Sequence, residues 1–372
     1  MDDAKKILKL LEVHRNVLLS GAPGTGKSRL LSEVASLFEA KGSSKPAYNP
    51  SSSVPIPNAP SASSNLPGDI GKSTNRKVFR SVLHQSSKYR DFLTGIMPEL
   101  RKGKPQGSFR ITEGVLYKAS EYAKQTDNAA LLIIDEINRG PTVQVFGGSI
   151  VAMEAEKRLD KDGKKTKETQ FFELLNPDDG ELIEYAFPRR LYILAAMNQA
   201  DVSVEPLDVA FLRRWIPYNL EPSTDVLCKY FNIPSNLSSN LPPKPKNVSD
   251  VCEVAIRAFS AINQRIALGR GHDFRIGHGV LMGFNGDFND KDEILNHFTT
   301  RWSLIKNHID EVFFGDVRGV AIVLNANLGI TTNPYLLEET SFGDAPRAQI
   351  NGPVKVDKNQ IYDLFLALSE EE

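Results

Sequence analysis

The chain has 372 residues, with 45 Lys and Arg against 46 Asp and Glu, 41% hydrophobic residues and 2 cysteines. That length suggests about two domains, each able to bury a core, and a formal charge of −1 excludes binding of nucleic acid through overall basicity, though not through a local patch. Cys228 and Cys252 stand alone, His272 and His278 lack a metal-site pattern, and no apolar run approaches the ~18–20 residues of a membrane span, so a reduced, cytoplasmic protein is expected.

From the amino terminus, Ile7, Leu8, Leu10 and Leu11 fall at helical spacing. Asn16–Ser20 (NVLLS) is a short apolar run before glycine, which suits a buried parallel strand. Lys27–Ala40 reads as a helix with Leu30, Leu31, Val34 and Leu37 on one face. Composition then shifts: Gly42–Asn75 holds 9 Ser and 6 Pro, and only Lys45, Asp69 and Lys72 carry charge. Such a segment buries too little apolar area to offset its chain entropy, so residues 42–75 are expected to form a flexible surface insertion.

Lys77–Gln85 resumes a strand pattern, Arg90–Leu100 suits a turn and short helix, and Gly114–Lys124 a helix. Ala129–Asp135 (AALLIID) has the pattern of a central strand ending in acids. Thr142–Glu156 reads as a helix, and 156–168 is a charged loop with six basic and four acidic residues. Phe171–Phe187 alternates around Asn176-Pro177-Asp178-Asp179-Gly180, a hairpin signal. Leu191–Met197 is a third buried strand, followed by a loop and a helix ending near Trp215. Beyond the Pro-rich 239–247, helical patterns cover Val251–Leu268, Gly279–Phe284, Asp292–Phe313 and Gln360–Ser369. The expected fold is α/β, with a parallel sheet between helices over 1–220 and a mostly helical lid over 221–372.

Gly21-Ala22-Pro23-Gly24-Thr25-Gly26-Lys27-Ser28 fits GxxxxGK[ST] after a predicted strand and opening a predicted helix. Glycines let successive N–H groups face one anion, and the helix N-terminus adds favourable partial charge. Lys27 would reach the outer phosphates, and the Ser28 hydroxyl would hold Mg²⁺. Asp135 is placed to accept from a Mg²⁺-bound water and Glu136 to polarise the attacking water; two acids at a strand end also suit a solvated turn or helix cap. Asn198, immediately after a strand, is either a turn former or a contact to the terminal phosphate or attacking water.

The ordered set GAPGTGKS, LLIIDEINRG and AAMNQAD resembles the AAA+ superfamily and, within it, the McrB-like branch of restriction NTPases. His84-Gln85-Ser86 with Tyr89-Arg90-Asp91-Phe92, Asp135–Gly140, Met197–Asp201, Leu207–Trp215, Ile276-Gly277-His278 and Trp302 through Phe314-Gly315-Asp316 are similar to that branch as well. The resemblance implies a nucleotide site completed by a neighbouring subunit in a ring, expected to be a hexamer. It places Arg213 and Arg214 at the arginine-finger position, Asn198 at the sensor position and Asp201 at an acid that organises water. Arg139 is a second trans candidate, and Arg275 a candidate second sensor. Asp201-Val202-Ser203 departs from the branch's Asp-Arg-Ser, and Trp215 replaces a common Phe. The phosphate loop begins at residue 21, so no DNA-reading domain is expected before it.

The implied activity is ATP or GTP hydrolysis with Mg²⁺, in the motor subunit of a restriction or antiphage system. The implied partner is a McrC-like nuclease or effector, with any contact to DNA indirect. The alternatives are a MoxR-type chaperone-like ATPase acting on protein, or a nucleotide-gated scaffold. The charged loop 157–167 suits a solvated hairpin tip first, and otherwise a lining of the ring pore or a contact to nucleic acid.

Overall fold

The computed structural model describes residues 2–40, 66–99, 108–198, 200, 207–237 and 241–370. Internal packing divides the chain into Met1–Ser20 with Lys27–Asn219, and Gly21–Gly26 with Leu220–Glu372.

The first unit is an α/β layer structure. Its elements are α1 (Asp2–His14), β1 (Asn16–Gly21), α2 (Lys27–Glu39), α3 (Gly68–Lys72), β2 (Asn75–Val82), α4 (Tyr89–Phe92), β3 (Thr94–Pro98), β4 (Phe109–Glu113), α5 (Val115–Lys124), β5 (Asn128–Asp135), α6 (Thr142–Phe146), β6 (Phe172–Leu175), β7 (Leu182–Tyr185), β8 (Leu191–Ala196), α7 (Val209–Leu212) and β9 (Ile216–Leu220). The main sheet has five strands in the order β2-β5-β8-β1-β9. β1 and β8 are buried throughout and β5 in all but Asp135, as their unbroken apolar runs require, whereas β2 at the edge alternates. Parallel pairing sets Leu18 beside Ala195 and Leu132 beside Ile193. All three central strands therefore end on the same side of the sheet. One face is filled by a core that includes Leu116, Phe146, Phe187, Phe211 and Trp215, so the Trp at 215 is a packing residue.

Three local expectations change here. The Ser/Pro stretch 42–75 lies partly outside the described residues, but 66–74 is ordered. α3 buries Ile70, and the Asp69 and Ile70 amides donate to the Glu12 carboxylate at 2.8 and 3.2 Å. The helix expected over 142–156 ends at Phe146, and 3₁₀ segments of seven and three residues follow over Gly147–Met153 and Ala155–Lys157. Gly147 takes φ 50°, and a Cβ there would come within 2.9 Å of the Tyr89 ring. The turn and short helix expected over 90–100 is α4 followed by a strand, β3, paired with β4.

The second unit is helical with one hairpin. It contains α8 (Thr224–Tyr230), α9 (Val248–Arg270), α10 (Lys291–Val312), α11 (Val317–Val323), β10 (Leu336–Phe342), β11 (Ala345–Asn351) and α12 (Ile361–Leu368). Its core gathers Phe259, Phe298, Trp302, Ile305 and Phe365, and the Trp302 indole donates to the Tyr335 hydroxyl at 3.1 Å. The antiparallel pair β10–β11 was not expected, because its residues are largely exposed and carry little apolar alternation. The helix expected over 279–284 is a single 3₁₀ turn at His278–Val280. No helix among the described residues is long and apolar enough to cross a membrane.

Candidate active site

Because β1, β5 and β8 are parallel, Lys27 after β1, Asp135 closing β5 and Asn198 after β8 belong to one edge of the sheet. Lys27 is only 9% exposed. Burial lowers its ammonium pKa, while Glu136 and Asp135 act in the opposite direction. A buried lysine beside two carboxylates is held near charge balance, and an incoming polyanion would meet it largely desolvated.

Glu136 is the most constrained residue of this group. Its backbone is left-handed, φ 53° and ψ 45°, which is costly for a residue with a Cβ. Its amide donates to Asp135 Oδ1 at 3.0 Å. Asn198 Nδ2 donates to Glu136 Oε1 at 2.9 Å, and Arg139 Nε lies 3.1 Å from Oε2. Asn138 Nδ2 in turn donates to the Asn198 carbonyl at 2.9 Å. The β5–β8 register, Ile134 beside Ala195, explains why residues just past both strand ends meet. Asn198 is therefore engaged with the acid and is more than a turn former. Arg139 meets Glu136 of its own chain.

The two arginines after α7 differ. Asp208 caps that helix by accepting from the Ala210 and Phe211 amides, which fixes where the turn ends. Arg213 is exposed. Arg214 is 11% exposed; its Nε lies 3.1 Å from Glu154 Oε1, and its Nη1 donates to the Ala210 carbonyl. Asp201 lies outside the described residues.

At the opposite edge of the sheet, Arg158 is 1% exposed and has no carboxylate partner among the described residues. It donates to the Met153 carbonyl from Nε and Nη2 at 3.0 and 2.8 Å, to Asn16 Oδ1 at 2.7 Å, and to the Leu191 carbonyl. Asn16 donates onward to the Met153 and Arg214 carbonyls at 2.9 and 3.0 Å. Burial, with Arg15 nearby, pushes the Arg158 pKa down to about 9. Sequence reading missed Arg158 because a lone arginine in a charged run looks like surface.

In the second unit, Gly21–Gly26 folds against the segment around Ile276-Gly277-His278. Gly277 N donates to the Pro23 carbonyl at 3.0 Å and Gly279 N to the Gly24 carbonyl at 2.9 Å. A Cβ at Gly277 would overlap the Pro23 carbonyl, so this approach requires glycine. Buried Asn263 clamps the segment, donating to the Ile276 carbonyl at 3.0 Å and accepting from its amide at 2.6 Å. Arg275, the candidate second sensor, is paired with Glu221 and donates to the His272 carbonyl at 2.8 Å. Ala22 and Thr25 are buried, and the Thr25 hydroxyl donates to the Ala22 carbonyl at 2.8 Å, closing the turn.

A parallel sheet carrying a GxxxxGKS loop, paired acids and a following Asn at the same edge defines an α/β fold of the AAA+ class. Residues 64–215 match the AAA domain family, dynein-related subfamily. The chain is 28% identical over 318 residues to the EcoKMcrB subunit of the type IV methyl-directed restriction enzyme of Escherichia coli K12, covering 83% of this chain and 56% of that protein. It is 30% identical over 217 residues to the YdiS component of the type II restriction enzyme BsuMI of Bacillus subtilis, covering 56% of this chain and 58% of that one. Among solved structures, C. elegans PCH-2 is similar at 15% identity and TM-score 0.34, covering 81% of this chain and 68% of that one. The chain thus carries an AAA domain match over residues 64–215, and its similarity to two restriction-enzyme subunits supports an AAA+ ATPase of McrB-like kind. It spans between half and two thirds of the length of each of those two relatives.

Proposed function

We propose that this chain is the nucleoside-triphosphate-hydrolysing motor subunit of a restriction or antiphage system, acting in the cytoplasm as a homo-oligomeric ring, a hexamer, with a McrC-like effector. The observation that carries the reading is the group Lys27, Asp135, Glu136 and Asn198, whose side chains share one sheet edge and one electrostatic environment. The 28% identity to a restriction subunit supplies the biological context.

Lys27 and the loop Gly21, Ala22, Pro23, Gly24, Thr25 and Gly26 bind the phosphates of ATP or GTP. Ser28, which is exposed, and Asp135 supply hydroxyl and carboxylate oxygens, the hard donors that suit Mg²⁺. Bound there, the ion neutralises charge on the phosphate oxygens. Glu136 polarises the attacking water with the oxygen that Asn198 does not occupy, and Asn198 holds that carboxylate in place. Asp201 assists in ordering water. Arg213 reaches the site of the next protomer as the arginine finger, because Arg214 is committed to Glu154 within its own chain.

The test is steady-state hydrolysis of ATP and GTP by the full chain, with and without a McrC-like effector. Hydrolysis that requires Lys27 and rises with the effector is the expected result. Absence of nucleotide binding by the wild-type chain would overturn the reading.

A further inference from the structure

The loop 157–170 is a built feature of the fold. Its neck is closed by the Gln170 amide donating to the Lys157 carbonyl at 2.8 Å, by the Thr169 hydroxyl donating to the Arg158 carbonyl at 3.1 Å, and by a 3.0 Å ion pair between Lys157 and Glu168. Its tip is folded by Asp160, whose Oδ1 accepts from the Asp162 and Lys164 amides at 2.9 and 2.8 Å. Its root is the fully buried Arg158, fastened to the first residues of β1 and β8. Every residue from 161 to 168 is exposed, and these include Lys161, Lys164, Lys165 and Lys167. Against these four lysines the exposed stretch sets two acids, Asp162 and Glu168, and Glu168 is paired with Lys157 at the neck, so the tip keeps a net positive charge.

We propose that this lysine knob is a direct contact for the phosphate backbone of duplex DNA. The tip carries no aromatic or aliphatic residue between Lys161 and Glu168. Protein interfaces are anchored by buried aromatic and apolar groups and are depleted in lysine. Backbone binding to nucleic acid needs only cations in reach of phosphates, and lysine serves there as a point charge. A loop already closed by its own hydrogen bonds loses little conformational entropy on binding. A chain of near-zero net charge thus carries a concentrated basic feature among its described residues, and the contact is independent of sequence. The inference goes beyond the hydrolysis reading and stands without it.

The experiment is fluorescence anisotropy of a labelled 30-base-pair duplex with the full chain, without nucleotide, across 50–200 mM NaCl. The variant Lys164→Ala/Lys165→Ala/Lys167→Ala is expected to bind at least ~10-fold more weakly at 50 mM NaCl, with the slope of log affinity against log salt reduced by about 3. Replacement of the same lysines by arginine is expected to restore both. Because the knob is surface, the thermal midpoint and DNA-free hydrolysis of these variants stay at the wild-type level, which separates this test from that of the hydrolysis reading. Equal affinity and slope in wild type and the alanine variant would overturn the proposal. So would binding of poly-glutamate through these lysines with no binding of DNA, which would assign the knob to an acidic polypeptide.

Discussion

Asn198 donates its amide to Glu136 across 2.9 Å, joining the ends of two adjacent parallel strands through side chains. The glutamate is held in a left-handed backbone conformation at the end of β5, and its second oxygen faces Arg139 at 3.1 Å. Strain at this position is retained because three neighbouring groups fix it: the Asp135 carboxylate, the Asn198 amide and the Arg139 guanidinium.

Glu136→Gln is expected to bind nucleotide but to turn over at least ~10²-fold more slowly, the scale of losing one positioned general base. Asn198→Ala, which frees the carboxylate to rotate, is expected to lower kcat with nucleotide affinity retained. Steady-state kinetics with a parallel binding titration checks both, and wild-type turnover in Glu136→Gln would remove Glu136 from the mechanism.

Arg139→Ala removes the cation that occupies the second oxygen of Glu136. An exposed pair of this kind contributes up to about 1 kcal/mol, so basal turnover is expected to rise by no more than about five-fold. A large fall instead, seen only in the assembled state, would give Arg139 a role toward the neighbouring protomer.

Arg213 and Arg214 are expected to separate experimentally. Arg213→Ala leaves the thermal midpoint unchanged and lowers turnover of the assembled ring. Arg214→Ala leaves Glu154 and the Ala210 carbonyl without their partner and costs about 2 kcal/mol of stability in denaturant titration.

Asn263→Ala strips both hydrogen bonds from the buried Ile276 main chain, an expected loss of about 3 kcal/mol. Gly277→Ala is expected to weaken nucleotide binding, because the added methyl displaces the Pro23 carbonyl and with it the phosphate loop. Isothermal titration with ATP and GTP reads this directly.

His297 gives the second unit a pH dependence. Burial pushes its imidazole below the ordinary value of 6.5, Arg301 adds to that, and the bond from Nε2 to the Leu281 carbonyl opposes it. Between the folded value and 6.5 the unfolded chain binds a proton that the folded chain does not. The stability contributed by the neutral ring is therefore full above pH 6.5 and lost as pH falls through the folded value. His297→Gln should flatten the decline in thermal midpoint between about pH 7 and 5.

Much of the candidate site's layout was legible in the chain. The central strands announce themselves as unbroken apolar runs because both of their faces are buried, and the phosphate loop and acids follow them at fixed offsets. The β10–β11 hairpin was not legible, since two-stranded pairing of exposed residues leaves no period-2 apolar signal. The helix expected over 142–156 ends where Gly147 takes φ 50°, outside the helical region, and the Tyr89 ring packs so close there that a Cβ would come within 2.9 Å of it. Asn138 stood in plain sight within a recognised motif, yet its bond to the Asn198 carbonyl depends on the register of two strands distant in sequence.

Length and balanced charge suggested two domains without overall basicity, and the sequence by itself determined the α/β class, the GxxxxGKS loop and the paired acids of the candidate site, because those depend on local spacing along the chain. Only the tertiary structure decided which charges are spent and which are available. Arg158 is consumed in the interior and Arg214 on Glu154, while Arg213 and the lysines at 161, 164, 165 and 167 face outward. Charge in a sequence is a count; its work depends on burial and partners, and these are fixed by contacts between residues far apart in the chain.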